Sequence, residues 1–548
     1  MRSDYIRIYK TVHTWTGILT GMALFIAFYA GALTVFKEPL ARWAAAPVAA
    51  LEVPLAETPA LIAKTLAAHP GAAKGFQLNL KPAEHEPARL SWVEREEGQD
   101  DHDTLNGRHY RATLDAQGNA LISESQPSQL AEFIDILHRV VGLPFDTDPN
   151  RWLMGVVAAL YALALVSGVI VLLPTLVKDF FALRLGKNLK RMWLDAHNVV
   201  GIISLPFHIV MAITAVVFAY HDGLYALQDK YLHSGRLANA FNQQRPAAKP
   251  APRNPADMLP PVTLLERAQA LSPGFEPSSL QYVNLAGPRA MVRVWGSDPA
   301  ALAPRAMGGF VALDPWSGKV LSRDFLPGAQ DAANTTLSSF FALHFATFGG
   351  TPVRWMYFLL ALAGAWLFYS GNLLWIESRR KKQRQGEALP GQRLDTRLLA
   401  SATVGVCIGC IAGVSLTIAC AKWLHDHVAD LNAWHWYVYY GVFFASLAWA
   451  FWRGAGRAVV PLLWLAALAT FCIPLTTLLA WLIPGLGLWA SSSLAALGVD
   501  LTALAGGLGL VWMARATARR VRLGAEDSVW SARPAEPTPA SAPAPNEA

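Results

Sequence analysis

Long apolar runs, separated by short polar or basic stretches, set the plan of this chain. Runs of roughly 20 residues, enough to cross a bilayer, lie near 12–36, 152–175, 198–220, 354–376, 399–421, 435–452, 459–483 and 489–514. Each predicts a membrane helix, the sixth being the shortest. Two long polar stretches, about 37–151 and 221–353, interrupt the series. Within them, 57–69 and 261–271 have helical spacing, while Arg89-Leu-Ser-Trp-Val93, 113–122, Met291-Val-Arg-Val-Trp295 and 311–321 have strand character. Asp115…Gly118 and Asp314…Gly318, each between β-formers, mark hairpin turns. The pattern predicts a mainly α-helical polytopic membrane protein of about eight transmembrane helices, with two small α+β domains outside the bilayer.

Composition agrees. Of 548 residues, 53% are hydrophobic and only 16% charged, which excludes a large soluble enzyme. The net charge of +7 has a simple source in short loops and ends: Arg2, Arg7 and Lys10; Lys178, Arg184, Lys187, Lys190 and Arg191; Arg379-Arg380-Lys381-Lys382; Arg453 and Arg457; Arg515, Arg519, Arg520 and Arg522. With eight spans all of these fall on one side, which the positive-inside rule makes cytoplasmic. Both termini are then cytoplasmic, and nucleic acid is not an expected partner. The first span lacks a small-residue cleavage site and reads as retained. The four cysteines, Cys407, Cys410, Cys420 and Cys472, all fall in late spans, so no disulfide framework holds the outer loops. Cys407-x-x-Cys410 has redox spacing, though small polarisable residues inside a helix are the commoner use.

The chain repeats itself. His13-Thr-Trp-Thr-Gly17 and His197-Asn-Val-Val-Gly201 each head an apolar run. Arg151-Trp152 opens a run reaching Ser167-Gly168, and Arg354-Trp355 opens one reaching Ser370-Gly371, with the same spacing. His138 and His344 lie just upstream of these second runs. Residues 1–187 form one span–outer domain–span unit (outer part 37–151), and 188–398 repeat it (outer part 221–353). Residues 399–514 add four spans. Residues 515–548 are expected to be a disordered cytoplasmic tail, Ala/Pro-rich from 531.

Several spaced motifs occur: His13-x3-Gly17, the Leu-Asp-x2-Gly118 and Leu-Asp-x3-Gly318 hairpins, Trp193-x3-His197-x3-Gly201, Leu205-Pro-Phe-His208, Leu343-His-Phe-x3-Gly-Gly350 and Ser370-Gly-x3-Trp375. Over about residues 1–385 the chain resembles the PepSY-associated transmembrane family, iron-regulated inner-membrane proteins that include ferrisiderophore reductases of Gram-negative bacteria. The resemblance implies PepSY-like periplasmic domains, an inner-membrane location and a ferric siderophore as substrate. It does not extend to the last four spans.

Imidazole inside a membrane bundle is costly and usually functional. Haem b needs two axial imidazoles. His13 and His197 lie at one depth on repeat-equivalent helices, each with Gly one turn on, where a flat macrocycle could approach. Bis-histidine ligation of an inner haem b is the direct reading. A span of roughly 30 Å is too long for one electron hop, which argues for a second, outer haem with ligands from His138, His344 and His208. His208 lies 11 residues after His197, about 16 Å along a straight helix, where the first copy has Leu24. Against this stands the ordinary role of an interfacial histidine, bonding a carbonyl or a headgroup, which is also the reading of His221. His85, His102 and His109 among Glu84, Glu86, Asp100, Asp101 and Asp103 form either a transient iron site or, more simply, a solvated acidic loop. His425-Asp-His427 is a further metal candidate. No Gly-rich nucleotide fingerprint follows a strand, so electrons are expected from quinol or a separate cytoplasmic reductase. The expected activity is that of a ferric-siderophore reductase. The rivals are an iron or siderophore permease with proton-relay histidines and a non-enzymatic regulator.

Overall fold

The computed structural model describes residues 3–48, 53–95, 107–144, 151–177, 189–231, 253–305, 307–491 and 493–532. The first unit comprises α1 (Ser3–Thr34), α2 (Lys37–Ala44), α3 (Thr58–Ala68), strands β1 (Gly75–Asn79), β2 (Leu90–Glu94), β3 (Arg108–Leu114) and β4 (Ala120–Ser125), then α4 (Leu130–Arg139) and α5 (Arg151–Leu172). The second comprises α6 (Leu189–Ile203), α7 (Leu205–Tyr231), α8 (Pro261–Leu271), β5 (Glu276–Val283), β6 (Met291–Ser297), β7 (Gly309–Leu313), β8 (Val320–Ser322), α9 (Ala332–Phe345) and α10 (Gly350–Ser378). Helices α11 (Leu394–Trp423), α12 (Leu431–Arg453), α13 (Ala455–Leu482) and α14 (Leu494–Leu523) complete the chain.

The span expected over 198–220 is broken. Helices α6 and α7 meet at Ser204 with a bend of 69°. Pro206 has no amide N–H for the Ile202 carbonyl four residues back, and the Ser204 hydroxyl donates to Val200 O at 2.7 Å within the last turn of α6. Six described helices are long and apolar enough to cross a membrane, seven if the bent pair is one span. The expected count of about eight included α12, whose Trp, Tyr and His residues dilute its hydropathy.

The outer parts do not form two separate domains. Their strands join in one eight-stranded antiparallel sheet of order β4-β3-β2-β1-β5-β6-β7-β8. The two halves meet where β1 pairs with β5, with Gln77 opposite Gln281. Alternation assigns the faces. Phe76, Leu78, Leu280 and Tyr282 are buried beneath α3 and α8, and Phe76 stacks on Tyr282 with ring centres 4.6 Å apart. Gln77, Ser91, Arg111 and Gln281 face the other way, into a cavity.

In the membrane the units interleave: α1 packs on both α5 and α10, and α5 on α7. Helix α14 runs to Leu523, past the expected boundary at 514. Beyond it Asp527 accepts hydrogen bonds from Arg380 and from Gln383 N–H, so 515–532 is not a loose tail. The rest of the expected tail lies outside the described residues.

Candidate functional site

Four of the five candidate histidines meet in two pairs. The rings of His13 (α1) and His197 (α6) face each other with centres 6.5 Å apart and planes at 74°. The rings of His138 (α4) and His344 (α9) stand 6.2 Å apart at 42°. Each pair takes one ring from each copy.

Hydrogen bonds fix where each proton sits. His13 Nδ1 lies 2.8 Å from Ala164 O and His138 Nδ1 lies 2.7 Å from Ala27 O. A carbonyl only accepts, so both rings carry the proton on Nδ1. His197 Nδ1 lies 2.9 Å from Ser370 Oγ, and His344 Nδ1 lies 2.8 Å from Thr214 Oγ1. Those hydroxyls already donate their single protons, Ser370 to Leu367 O and Thr214 to Val210 O. They therefore accept from Nδ1–H. Each ring is left with a lone pair on Nε2, to which no hydrogen bond is found among the described residues.

Glycines seat the rings. A Cβ on Gly168 would lie 2.9 Å from His13 Nδ1, and one on Gly31 would lie 2.9 Å from His138 Nδ1. At Gly371 the corresponding distance to His197 Cε1 is 3.7 Å. The Gly one turn after each inner histidine touches no imidazole: Gly17 faces open space, and Gly201 has Leu367 near it. The Ser-Gly pairs that mark the repeat are the missed signal. They receive the inner imidazoles.

This arrangement fits haem. Two imidazoles on opposite sides of one iron, each with a metal–nitrogen distance of about 2 Å, have ring centres roughly 6.3 Å apart. Proton on Nδ1, lone pair on Nε2 and an outer acceptor are what a metal-ligating imidazole requires.

His208 joins neither pair. Its Nδ1 lies 2.6 Å from the Tyr161 hydroxyl, and its buried Nε2 has no hydrogen-bond partner among the described residues. Phe28, Phe207 and Phe368 surround it. Tyr161 lies one turn from Ala164 on α5, and Phe28 is next to Ala27 on α1, so this cluster sits between the two pairs in depth. The bend at Ser204 voids the straight-helix estimate of its height.

The outer pair opens on a cavity of about 2430 Å³ between the sheet and the membrane helices. Its floor includes Phe28, Tyr161, His138 and His344, and its roof is the polar sheet face. Beside His138, Lys37 bridges Glu132 at 2.5 Å and Asp135 at 3.2 Å. Burial opposes charge on Asp135, but Lys37 and Arg139 outweigh it and hold its carboxyl below the ordinary range.

The other metal candidates are dispersed. His109 bonds Gln129 and His425 bonds Asp426; His221, read as interfacial, bonds the Phe218 carbonyl. No group of three metal-ligating side chains occurs among the described residues. His102, Asp100, Asp101 and Asp103 lie outside them. Cys407 and Cys410 are buried in the core of the last bundle.

A family model described as PepSY-associated TM region matches residues 10–378. The chain belongs to that family. No curated protein matches it. The PepSY-associated region carries all five candidate histidines and stops where α10 ends, so α11–α14 are an addition to it.

Proposed function

We propose that this PepSY-associated membrane protein is a haem-b reductase of the bacterial inner membrane, passing electrons across the bilayer to a ferric siderophore in the outer cavity. The observation that carries the reading is the two opposed imidazole pairs, 6.5 and 6.2 Å between ring centres, every ring with its proton fixed on Nδ1. His13 and His197 would hold one haem, His138 and His344 the other. Haem bound there supplies reversible one-electron chemistry.

The chain's own residues do the rest. Ala164 O, Ala27 O, Ser370 and Thr214 orient the rings and raise their basicity. Phe28, Phe207, Phe368, Tyr161 and His208 pack ring against ring between the pairs. That packing favours electron transfer over a permease, which needs a polar path. The sheet face offers Gln77, Ser91, Arg111 and Gln281 to the oxygens of a chelate. Hard oxygen donors hold Fe(III) far better than Fe(II), so one-electron reduction loosens the iron. Electrons enter from quinol or a separate cytoplasmic reductase, with both termini cytoplasmic and the sheet periplasmic.

The test is optical. Protein purified from haem-replete cells should show a reducible b-type spectrum at two haems per chain. His13→Ala or His197→Ala should remove one component, and His138→Ala or His344→Ala the other. A colourless protein sinks the reading.

A further inference from the structure

The last four helices lie beyond the matched region, yet they touch the candidate site. Helix α12 runs beside α4, the ten-residue helix that ends one residue after His138. Asn432 Oδ1 accepts the Gln129 N–H at 2.9 Å, just ahead of the first turn of α4. His435, Trp436 and Tyr439 pack on Phe133, with ring centres 6.2, 5.3 and 5.7 Å away. Past the other end of α4, the Tyr440 hydroxyl donates to Leu143 O at 2.6 Å, with Gly142 O at 3.3 Å. Both ends of α4 are fastened to one neighbour. That neighbour is itself fixed: Gly405, Gly409 and Gly413 of α11 face it, and a Cβ on Gly405 would come within 2.8 Å of Leu447 Cα. Glycines four apart let two membrane helices lock at close range.

The duplication shows what this accomplishes. In the second copy α9 is fastened from within: the Tyr357 hydroxyl donates at 2.8 Å to Leu343 O, the carbonyl just before His344. Tyr357 lies two residues after Trp355. Two residues after Trp152 the first copy has Met154, which has no hydroxyl. The first copy also leaves α4 through Val141 at φ +52° and Gly142 at φ +77°. A β-branched residue rarely adopts that conformation, and it persists only where its surroundings hold it. Tyr440 grips the carbonyls immediately after it.

We propose that the α11–α14 bundle is an internal clamp that sets His138 opposite His344, with Tyr440 and Asn432 as positioning residues. The clamp supplies to the first copy the hydroxyl fastening that the second copy contains. Its link to haem rests on the two-haem reading above.

The experiment compares full-length Tyr440→Phe, Asn432→Ala and, as the within-copy counterpart, Tyr357→Phe. Amide exchange and optical redox titration are the readouts. Losing one net hydrogen bond predicts about fivefold faster exchange over 137–144 in Tyr440→Phe, with 340–346 unchanged; Tyr357→Phe should show the reverse. Both haem components should persist in Tyr440→Phe, and only the one that His138→Ala removes should change its midpoint potential. Asn432→Ala should act on the same component if Tyr440→Phe proves too unstable to purify. Wild-type exchange over 137–144, acceleration spread evenly over the molecule, or an unmoved midpoint in a red protein overturns the clamp and leaves the haem reading standing. A colourless wild-type protein overturns the haem reading, and the exchange measurement still decides whether the clamp exists.

Discussion

Alanine at Gly168 and alanine at Gly371 should have opposite effects, although the two positions are equivalent in the repeat. A methyl on Gly168 would sit 2.9 Å from both Nδ1 and Cε1 of His13; on Gly371 it would sit 3.7 Å from His197 Cε1. Carbon contacts settle at about 3.5–4.0 Å. His13 must therefore retreat by roughly half an ångström or more, away from an Ala164 carbonyl that holds it at 2.8 Å. Such overpacking costs about 1–3 kcal/mol. Replacing Gly by Ala inside a helix returns about 1 kcal/mol. The net is a loss of up to about 2 kcal/mol at Gly168 and a gain of up to about 1 kcal/mol at Gly371. Helix propensity and lipid contact are nearly the same at the two sites, so their difference isolates the contact with the ring. Thermal unfolding in detergent and the absorption spectrum are the assays. Gly168→Ala should unfold at lower temperature and disturb the component that His13→Ala removes, while Gly371→Ala keeps both components and unfolds no earlier. Equal shifts in the two variants, or greater damage at Gly371, would refute the argument that this contact seats the ring.

Three further expectations follow from other parts of the structure. His208→Phe should leave both haem components in place, because His208 belongs to neither pair; loss of one would reassign it as a ligand. Asp500→Ala should cost about 1–3 kcal/mol, since Trp43 Nε1 and Thr477 Oγ1 both lose their acceptor, whereas Asp500→Asn should recover much of that in a thermal melt; an Ala variant as stable as wild type contradicts this. In the second hairpin, burial opposes the charge of Asp314, but the Ser317 N–H and Arg253 outweigh it and hold its carboxyl below 3.8. A depressed carboxyl stabilises the fold above its unfolded value and loses that contribution as pH falls through the folded one. Exchange in 314–319 should therefore accelerate only below about pH 3.8, and Asp314→Asn should abolish that acid step.

What was legible in the sequence followed from local rules. The helix expected over 261–271 is Pro261–Leu271, and both Asp…Gly turns close hairpins. Pairing His13 with His197 required only the repeat, because equivalent positions of two copies can meet across a shared axis; the same rule offered His138 with His344 but left His208 in contention. What escaped was set by long-range contact. Nothing local in Gly75–Asn79 or Glu276–Val283 says that these strands pair with each other and merge two domains into one sheet. Pro206 was visible, but the bend it permits depends on the packing of both flanking helices. The acceptors of the four imidazoles lie as many as 173 residues away in the chain, beyond any motif. Gly17, which the His-x3-Gly motif singles out, faces open space, while Gly168 and Gly31 do the seating.

The interleaving of the copies explains why each imidazole pair takes one ring from each copy. Helix α1 packs on α10 of the other copy and α5 on α7, so His13 and His197 can face each other only if the two units hold one relative position. The sheet enforces that position from outside. A slip of one residue between β1 and β5 would turn Gln77 toward the core and Phe76 toward the cavity. The penalty is the burial of a polar amide together with the loss of the Phe76–Tyr282 stack. Register in the sheet is therefore a discrete setting. It is transmitted through α4 and α9, which connect the sheet to the membrane and carry the outer imidazoles.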